Sequence, residues 1–283
     1  MMNVINLLNY AMRTYKNIPS RDIKLLLGFC LGIADKEIYL CEKTVLREQE
    51  NKFQILLENR MRGVPAPYLI GETEFMGLKF MVDENVLIPR QETEILVENI
   101  IKTASVWRGP VSILDIGTGT GNIAVSLAKF LSGATVLAVD VSSNALEIAR
   151  KNAFANSVED KITFVEMDIF SDSSAHKILK KQFDIIVSNP PYINSEDMNN
   201  LPVEVRHEPV IALHGGDNGM AFYERITPLA KMLLSDAGYL FFEIGYHHSG
   251  RVKKIMRDCL FTDMHVIKDY SGEERVLYGK NVN

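Results

Sequence analysis

Two short segments of the chain combine residue types that do chemistry. The first, Asp115-Ile116-Gly117-Thr118-Gly119-Thr120-Gly121-Asn122, stands where an apolar run gives way to a helical pattern. Glycines at a strand end let the backbone turn tightly and approach a ligand. A dinucleotide-binding G-x-G-x-x-G counted from Gly117 needs glycine at 122, where Asn122 stands, so the spacing is G-x-G-x-G after an acid. Asp140, nineteen residues past Gly121, ends the next apolar run, near the offset at which an acid can accept hydrogen bonds from ribose hydroxyls. Asp168 ends the run after that. A carboxylate at Asp115 disfavours phosphate and suits an ammonium group. The set therefore points to an amino-acid-bearing nucleoside without a pyrophosphate, and S-adenosylmethionine has both parts.

The second segment, Asn189-Pro190-Pro191-Tyr192, ends a further apolar run. Two prolines fix φ and remove two N–H donors, which makes a stiff loop presenting Asn189 and the Pro190 carbonyl in a set direction. A carboxamide oxygen and a backbone carbonyl together can accept both hydrogens of a planar NH2 group, and Tyr192 can lie against its face. The nitrogen of an amide or of adenine delocalises its lone pair and attacks a methyl group poorly unless it is held and aimed. Positioning can supply up to ~7–11 kcal/mol, and no strong general base is needed before attack. The plainer alternative, glycines making a turn and Asn-Pro-Pro closing a strand, is weakened because both segments stand at ends of neighbouring strands.

These loops need a scaffold. From residue 94 the chain alternates helix and strand: helix 94–106, strand 111–116, helix 123–130, strand 136–139, helix 145–155, strands 162–165 and 183–187, helix 220–234 and strand 239–244. Continuous apolar strands separated by helices indicate a parallel sheet covered on both faces. Strands 265–268 and 275–278 are too close for a parallel crossover, so an antiparallel hairpin closes the sheet. The polar connection 171–181 reads as a surface loop. Up to Gly63 apolar residues recur at helical spacing, as in Ile23, Leu26, Leu27 and Leu31, and read as a small helical bundle. Gly63, Pro65, Pro67 and Gly71 then mark a hinge, and residues 74–82 a hairpin about Gly77. The expected division is 1–63 helical, 64–86 linker and hairpin, and 87–283 catalytic.

Composition narrows the partners. The 283 residues are 47% hydrophobic and 24% charged, ordinary globular values, with a formal charge of -5. Up to Phe75 there are ten Lys/Arg against nine Asp/Glu, and beyond it 21 against 27, so neither part is a basic nucleic-acid module. Cys30, Cys41 and Cys259 form no C-x-x-C pair, which argues against zinc and disulfides and for a reducing cytoplasm. No run of about 18 apolar residues and no basic leader is present, so neither membrane insertion nor export is expected.

The chain resembles the HemK/PrmC family, the peptide chain release factor N5-glutamine methyltransferases. The likeness runs through Arg62-Gly63-x-Pro65-x-x-Tyr68, Glu74-Phe75, Leu87-Ile88-Pro89-Arg90-x-Glu92-Thr93-Glu94, the glycine loop, Asn189-Pro190-Pro191-Tyr192-Ile193, Glu208-Pro209, Gly215-Gly216 and Glu243-Ile244-Gly245. It implies a Rossmann-like class I methyltransferase, α/β, with a mostly parallel seven-stranded sheet and a C-terminal antiparallel hairpin, preceded by the helical bundle. It further implies that Asp115, Gly117, Thr118, Gly119, Thr120, Gly121, Asp140, Asp168, Ile169 and Asn189 contact S-adenosylmethionine, which leaves as S-adenosylhomocysteine. Asn189, Pro190, Pro191 and Tyr192 would hold the glutamine of a Gly-Gly-Gln loop, with Asn189, Pro190 and Tyr192 catalytic and no metal involved. The implied partner is a bacterial class I release factor, met by a monomer through its helical domain.

Two departures from the family stand out. Relatives usually carry an aromatic residue where Ile169 stands, with Phe170 beside it, and often glutamine where this chain has Tyr246-His247-His248. The histidine pair reads as a solvated helix cap rather than a metal site. Adenine-N6 methylation of nucleic acid shares the Asn-Pro-Pro-Tyr loop but lacks support from charge. Glutamine methylation of a ribosomal protein and a non-catalytic binding module are the remaining alternatives.

Overall fold

A computed structural model describes residues 2–107, 109–171 and 182–282. The chain forms two compact units, Met1–Glu72 with Pro202–His207, and Thr73–Leu201 with Glu208–Asn283.

The smaller unit is helical: α1 (Val4–Thr14), α2 (Ser20–Leu31), α3 (Arg47–Met61) and α4 (Ala66–Ile70). The Asn3 side chain caps α1 by accepting the Asn6 N–H at 2.8 Å, and α2 stops at Gly32, whose φ of 67° is cheap only without a β-carbon. Their apolar stripes meet in one core that includes Leu8, Leu26, Leu27, Phe53 and Leu57. The stretch expected to be a linker from residue 64 is instead partly helical, because Ala66 in α4 is buried in that same core. A later segment joins the unit as well: buried Arg60 pairs with Asp22 at 2.7 Å and with Glu204.

The larger unit opens with hairpin β1 (Glu72–Phe75) and β2 (Leu78–Met81), then α5 (Gln91–Ala104). There follow β3 (Val111–Ile116), α6 (Asn122–Phe130), β4 (Ala134–Asp140), α7 (Ser143–Ala155), β5 (Ile162–Glu166) and β6 (Phe183–Ser188). The chain ends with α8 (Ala221–Leu233), β7 (Leu234–Glu243), α9 (Ser249–Asp258), β8 (Phe261–Lys268) and β9 (Glu274–Asn281). The seven-stranded sheet runs β5-β4-β3-β6-β7-β9-β8, parallel except for β9, which pairs antiparallel with β7 and β8. The expected sheet and closing hairpin are both present.

Alternation along the strands divides the core. Val111 and Ile113 face the cluster built with α5 and α6, whereas Leu114 and Ile116 face the one built with α8 and α9. Two strands are longer than their apolar pattern suggests. Strand β7 begins at Leu234 rather than 239 and carries an irregularity in its pairing with β6, where Ala237 has a φ of 64°. Strand β8 begins at Phe261 and is irregular between Thr262 and His265. Neither irregular stretch keeps period two, so alternation could not reveal it. Of the connection read as a surface loop, residues 172–181 lie outside the described residues.

Candidate active site

Strand order reverses direction of growth at β3, whose neighbours are β4 on one side and β6 on the other. Loops leaving such a point diverge and open a crevice at the carboxyl ends of the strands. A cavity of about 350 Å³ lies there. Its walls include Gly117 and Gly119 from the β3 loop, Asp140 after β4, Asp168 and Ile169 after β5, and Asn189, Pro190 and Pro191 after β6. The two segments singled out by sequence thus face one space.

The glycine loop is held open by its own backbone. Gly117, Gly119 and Gly121 have φ of 73°, 53° and 78°, and the amides of Gly117 and Thr118 donate to the Val139 carbonyl at 2.9 and 3.0 Å. Gly121 adds a packing reason: a β-carbon there would sit 3.1 Å from that of Ala149. Asp140 accepts the Gly119 N–H on one oxygen at 2.8 Å and the Ser142 N–H on the other at 2.9 Å. Burial raises its pKa, and these backbone bonds pull it back. Asp140 lines the cavity, and its oxygens keep lone pairs open to further hydrogen-bond donors.

Asp115, Thr118, Thr120, Gly121 and Tyr192 do not line the cavity. Asp115 lies on the Ile113 face of β3 and is fully buried behind the loop. Its Oδ2 accepts the Thr118 hydroxyl at 2.6 Å, while Oδ1 has no hydrogen-bond partner among the described residues. Burial pushes its pKa up to about 7, with the Thr118 bond opposing and the charge of Asp140 adding. Thr120 works at the back of the loop, where its carbonyl accepts from Asn152 Nδ2 at 2.9 Å. Exposed Asp168 accepts the Phe170 N–H at 2.8 Å. Phe170 meets Phe222 edge-on at 5.0 Å between ring centres, and both line the cavity beside buried Ile169. An aromatic wall is therefore present one residue beyond Ile169.

The Asn-Pro-Pro-Tyr loop is clamped from several sides. Ile193 donates to the Leu213 carbonyl at 2.9 Å and Gly215 donates back to the Ile193 carbonyl at 2.8 Å. Gly215, Gly219 and Gly245 crowd the loop so closely that β-carbons on them would lie 2.5–2.8 Å from Pro191 or Tyr192 atoms. Burial first, and the charge of Glu243 second, push the Tyr192 phenol up to about 12, so it is neutral at ordinary pH. Asn189 Nδ2 donates to Thr93 Oγ1 at 3.3 Å, and the Thr93 hydroxyl donates to Glu243 Oε2 at 2.6 Å. Thr93 and Glu243 are both buried. Their motifs were visible in the sequence, but their roles were not, since they lie 96 and 150 residues from their partners.

Glu208 also gains a place: buried, it pairs with Arg90 and accepts the Ile88 N–H at 3.3 Å, which pins the segment carrying Val86 and Leu87 on the cavity wall. The histidine pair departs from the expected solvated cap. His248 occupies the position before α9, but its ring stands edge-on to Tyr192 and Tyr223, and its Nδ1 is buried without a hydrogen-bond partner among the described residues. Burial lowers its pKa. Only His247, with φ of 61°, is exposed. Among the described residues no cluster could hold a metal ion, and no helix is long and apolar enough to cross a membrane.

Solved structures share this architecture. A methyltransferase from Pyrococcus furiosus matches with a TM-score of 0.53 and 20% identity, over 74% of this chain and 91% of that one. The hMettl16 catalytic domain matches with a TM-score of 0.59 and 19% identity, over 78% and 84%. The fold is thus that of the class I methyltransferases. By sequence, the Methyltransferase small domain family matches residues 91–206 and the PrmC N-terminal domain family residues 7–71. A release factor glutamine methyltransferase from Chlorobaculum tepidum is 39% identical over 265 residues, 92% of this chain and 89% of the relative. Those of Flavobacterium psychrophilum and Pasteurella multocida are 44% and 36% identical, over 75% and 95% of this chain and 74% and 94% of theirs. The chain belongs to the release factor glutamine methyltransferase family.

Proposed function

We propose that this enzyme methylates N5 of the glutamine in the Gly-Gly-Gln motif of a bacterial class I release factor, with S-adenosylmethionine as donor. The observation that carries the reading is that Asn189 and Pro190 line the same cavity as Gly117, Gly119, Asp140 and Asp168. The cofactor fits that cavity in kind. Glycines leave a wall without β-carbons, and the acids Asp140 and Asp168 line the cavity where they can accept hydrogen bonds from hydroxyls. When bound, the cofactor supplies an electrophilic methyl on sulfur and departs as S-adenosylhomocysteine.

The residues of the chain do the rest by positioning. With Nδ2 of Asn189 engaged at Thr93, its Oδ1 is the atom left to accept an N–H of the incoming amide. The Pro190 carbonyl accepts the other, so the nitrogen lone pair is turned toward the methyl carbon. These two oxygens would stabilise the positive charge that methylation develops on the amide nitrogen. The alkylated amide is strongly acidic and gives its extra proton to water. Tyr192, neutral and held by its glycine neighbours, supplies a flat apolar side to the site.

Mass spectrometry of the Gly-Gly-Gln peptide from a release factor incubated with this enzyme and cofactor tests the proposal. A gain of one methyl on glutamine is expected. Transfer to DNA and none to the release factor would overturn it in favour of adenine methylation.

A further inference from the structure

Asn189 can help only if its oxygen, not its NH2, faces the substrate. A carboxamide is nearly symmetric in shape, so something must choose between its two orientations. Pro190 fixes the backbone after Asn189 but leaves the terminal torsion of the side chain free. The choice must come from a hydrogen-bond partner of defined polarity.

We propose that Thr93 and Glu243 are positioning residues that set the orientation of the Asn189 carboxamide. Burial raises the pKa of Glu243 to about 7, with the Thr93 bond opposing the rise. In its ionised form, dominant above that pH, the carboxylate only accepts hydrogen bonds, so the single Thr93 hydroxyl proton then goes to Glu243 Oε2, 2.6 Å away. Only a lone pair is then left on Oγ1 toward Asn189, 3.3 Å away, and only Nδ2 can satisfy it. Oδ1 is thereby left for the substrate. Neither residue lines the cavity, so both act through Asn189. Thr93 is itself fixed in the first turn of α5, its N–H donating to the Arg90 carbonyl at 3.1 Å. Glu243 ends β7 beside β6, in register with the strand end from which Asn189 departs, since Phe242 pairs with Ser188. Three elements thus converge to define one torsion.

The inference rests on the reading of Asn189 as acceptor for the substrate amide. Its test is a double-mutant cycle measured by single-turnover methyl transfer to a release factor, with cofactor affinity followed by calorimetry and folding by thermal melting. Thr93→Val should lower the transfer rate about three- to tenfold, the scale of one lost hydrogen bond, without changing cofactor affinity. Thr93→Ser keeps the hydroxyl and should restore the rate to within about twofold. Glu243→Gln, whose NH2 can donate to Thr93 and turn the hydroxyl around, should lose a similar factor. In an Asn189→Ala background neither Thr93→Val nor Glu243→Gln should cost anything further, because the group they orient is gone.

Equal losses in both backgrounds, or a wild-type rate for Thr93→Val, would overturn the inference. A wild-type rate for Asn189→Ala alone would instead remove the underlying reading of Asn189. Should Thr93→Val fail to fold, having left a carboxylate buried, the Glu243→Gln arm of the cycle decides the question.

Discussion

The backbone of Gly215 packs against Tyr192 so tightly that a β-carbon on Gly215 would lie 2.7 Å from the Tyr192 Cα and 2.6 Å from the Pro191 carbonyl oxygen. A second glycine, Gly245, faces the Tyr192 ring, where a β-carbon would lie 2.8 Å from Cδ2. The two contacts differ in kind. Backbone cannot rotate away, whereas a ring and its neighbour His248 can yield. Overpacking of this sort costs ~1–3 kcal/mol. Gly215→Ala is therefore expected to lower the melting temperature and the turnover more than Gly245→Ala does. Thermal melts and methyl-transfer rates on the two variants check the order, and the reverse order would show that the ring contact holds the loop.

Asp140 serves both the loop and the cavity. Asp140→Ala removes the acceptor for the Gly119 N–H and, on the proposed reading of the cavity, the acid that would meet the ribose hydroxyls. Hydrogen bonds to charged groups contribute ~1.5–3 kcal/mol, so cofactor affinity should fall roughly tenfold to a hundredfold. Unchanged calorimetric binding would show that the ribose is held elsewhere.

The buried carboxyl of Asp115 links stability to pH. Its pKa is about 7 in the folded chain against ~3.9 when unfolded, so the native state holds the proton more tightly. Stability from this group is fully present below about pH 4 and is lost as pH rises through about 7. Asp115→Asn cannot lose it. The variant should gain on the wild type between pH 5 and pH 8, by on the order of 2 kcal/mol, in denaturant melts at several pH values. A difference that stays constant over that range would show that Asp115 does not titrate there.

Arg90 answers a buried acid. Glu208 is almost fully enclosed, and burial raises its pKa while Arg90 opposes the rise. Removing one partner of such a pair costs ~3–5 kcal/mol because a charge is left uncompensated. Arg90→Ala should show that loss in urea unfolding, and adding Glu208→Gln should recover a good part of it. No recovery would mean that Arg90 matters through packing.

The sequence by itself determined the local features: the parallel sheet with its closing hairpin, the glycine loop after β3, the Asn189–Tyr192 corner after β6, and the acids at the ends of β4 and β5. Apolar period and turn chemistry act between near neighbours, so each of these could be read without knowing what packs against it. Only the tertiary structure decided that Asp115 is buried behind the loop, that His248 is tucked against Tyr192, that Phe170 lines the cavity beside Ile169, and that Thr93 meets Asn189 on one side and Glu243 on the other. Those outcomes depend on which face of a strand a side chain takes and on partners brought together from α5, β6 and β7, and one hydrogen bond between residues 150 positions apart leaves no periodic trace in the chain.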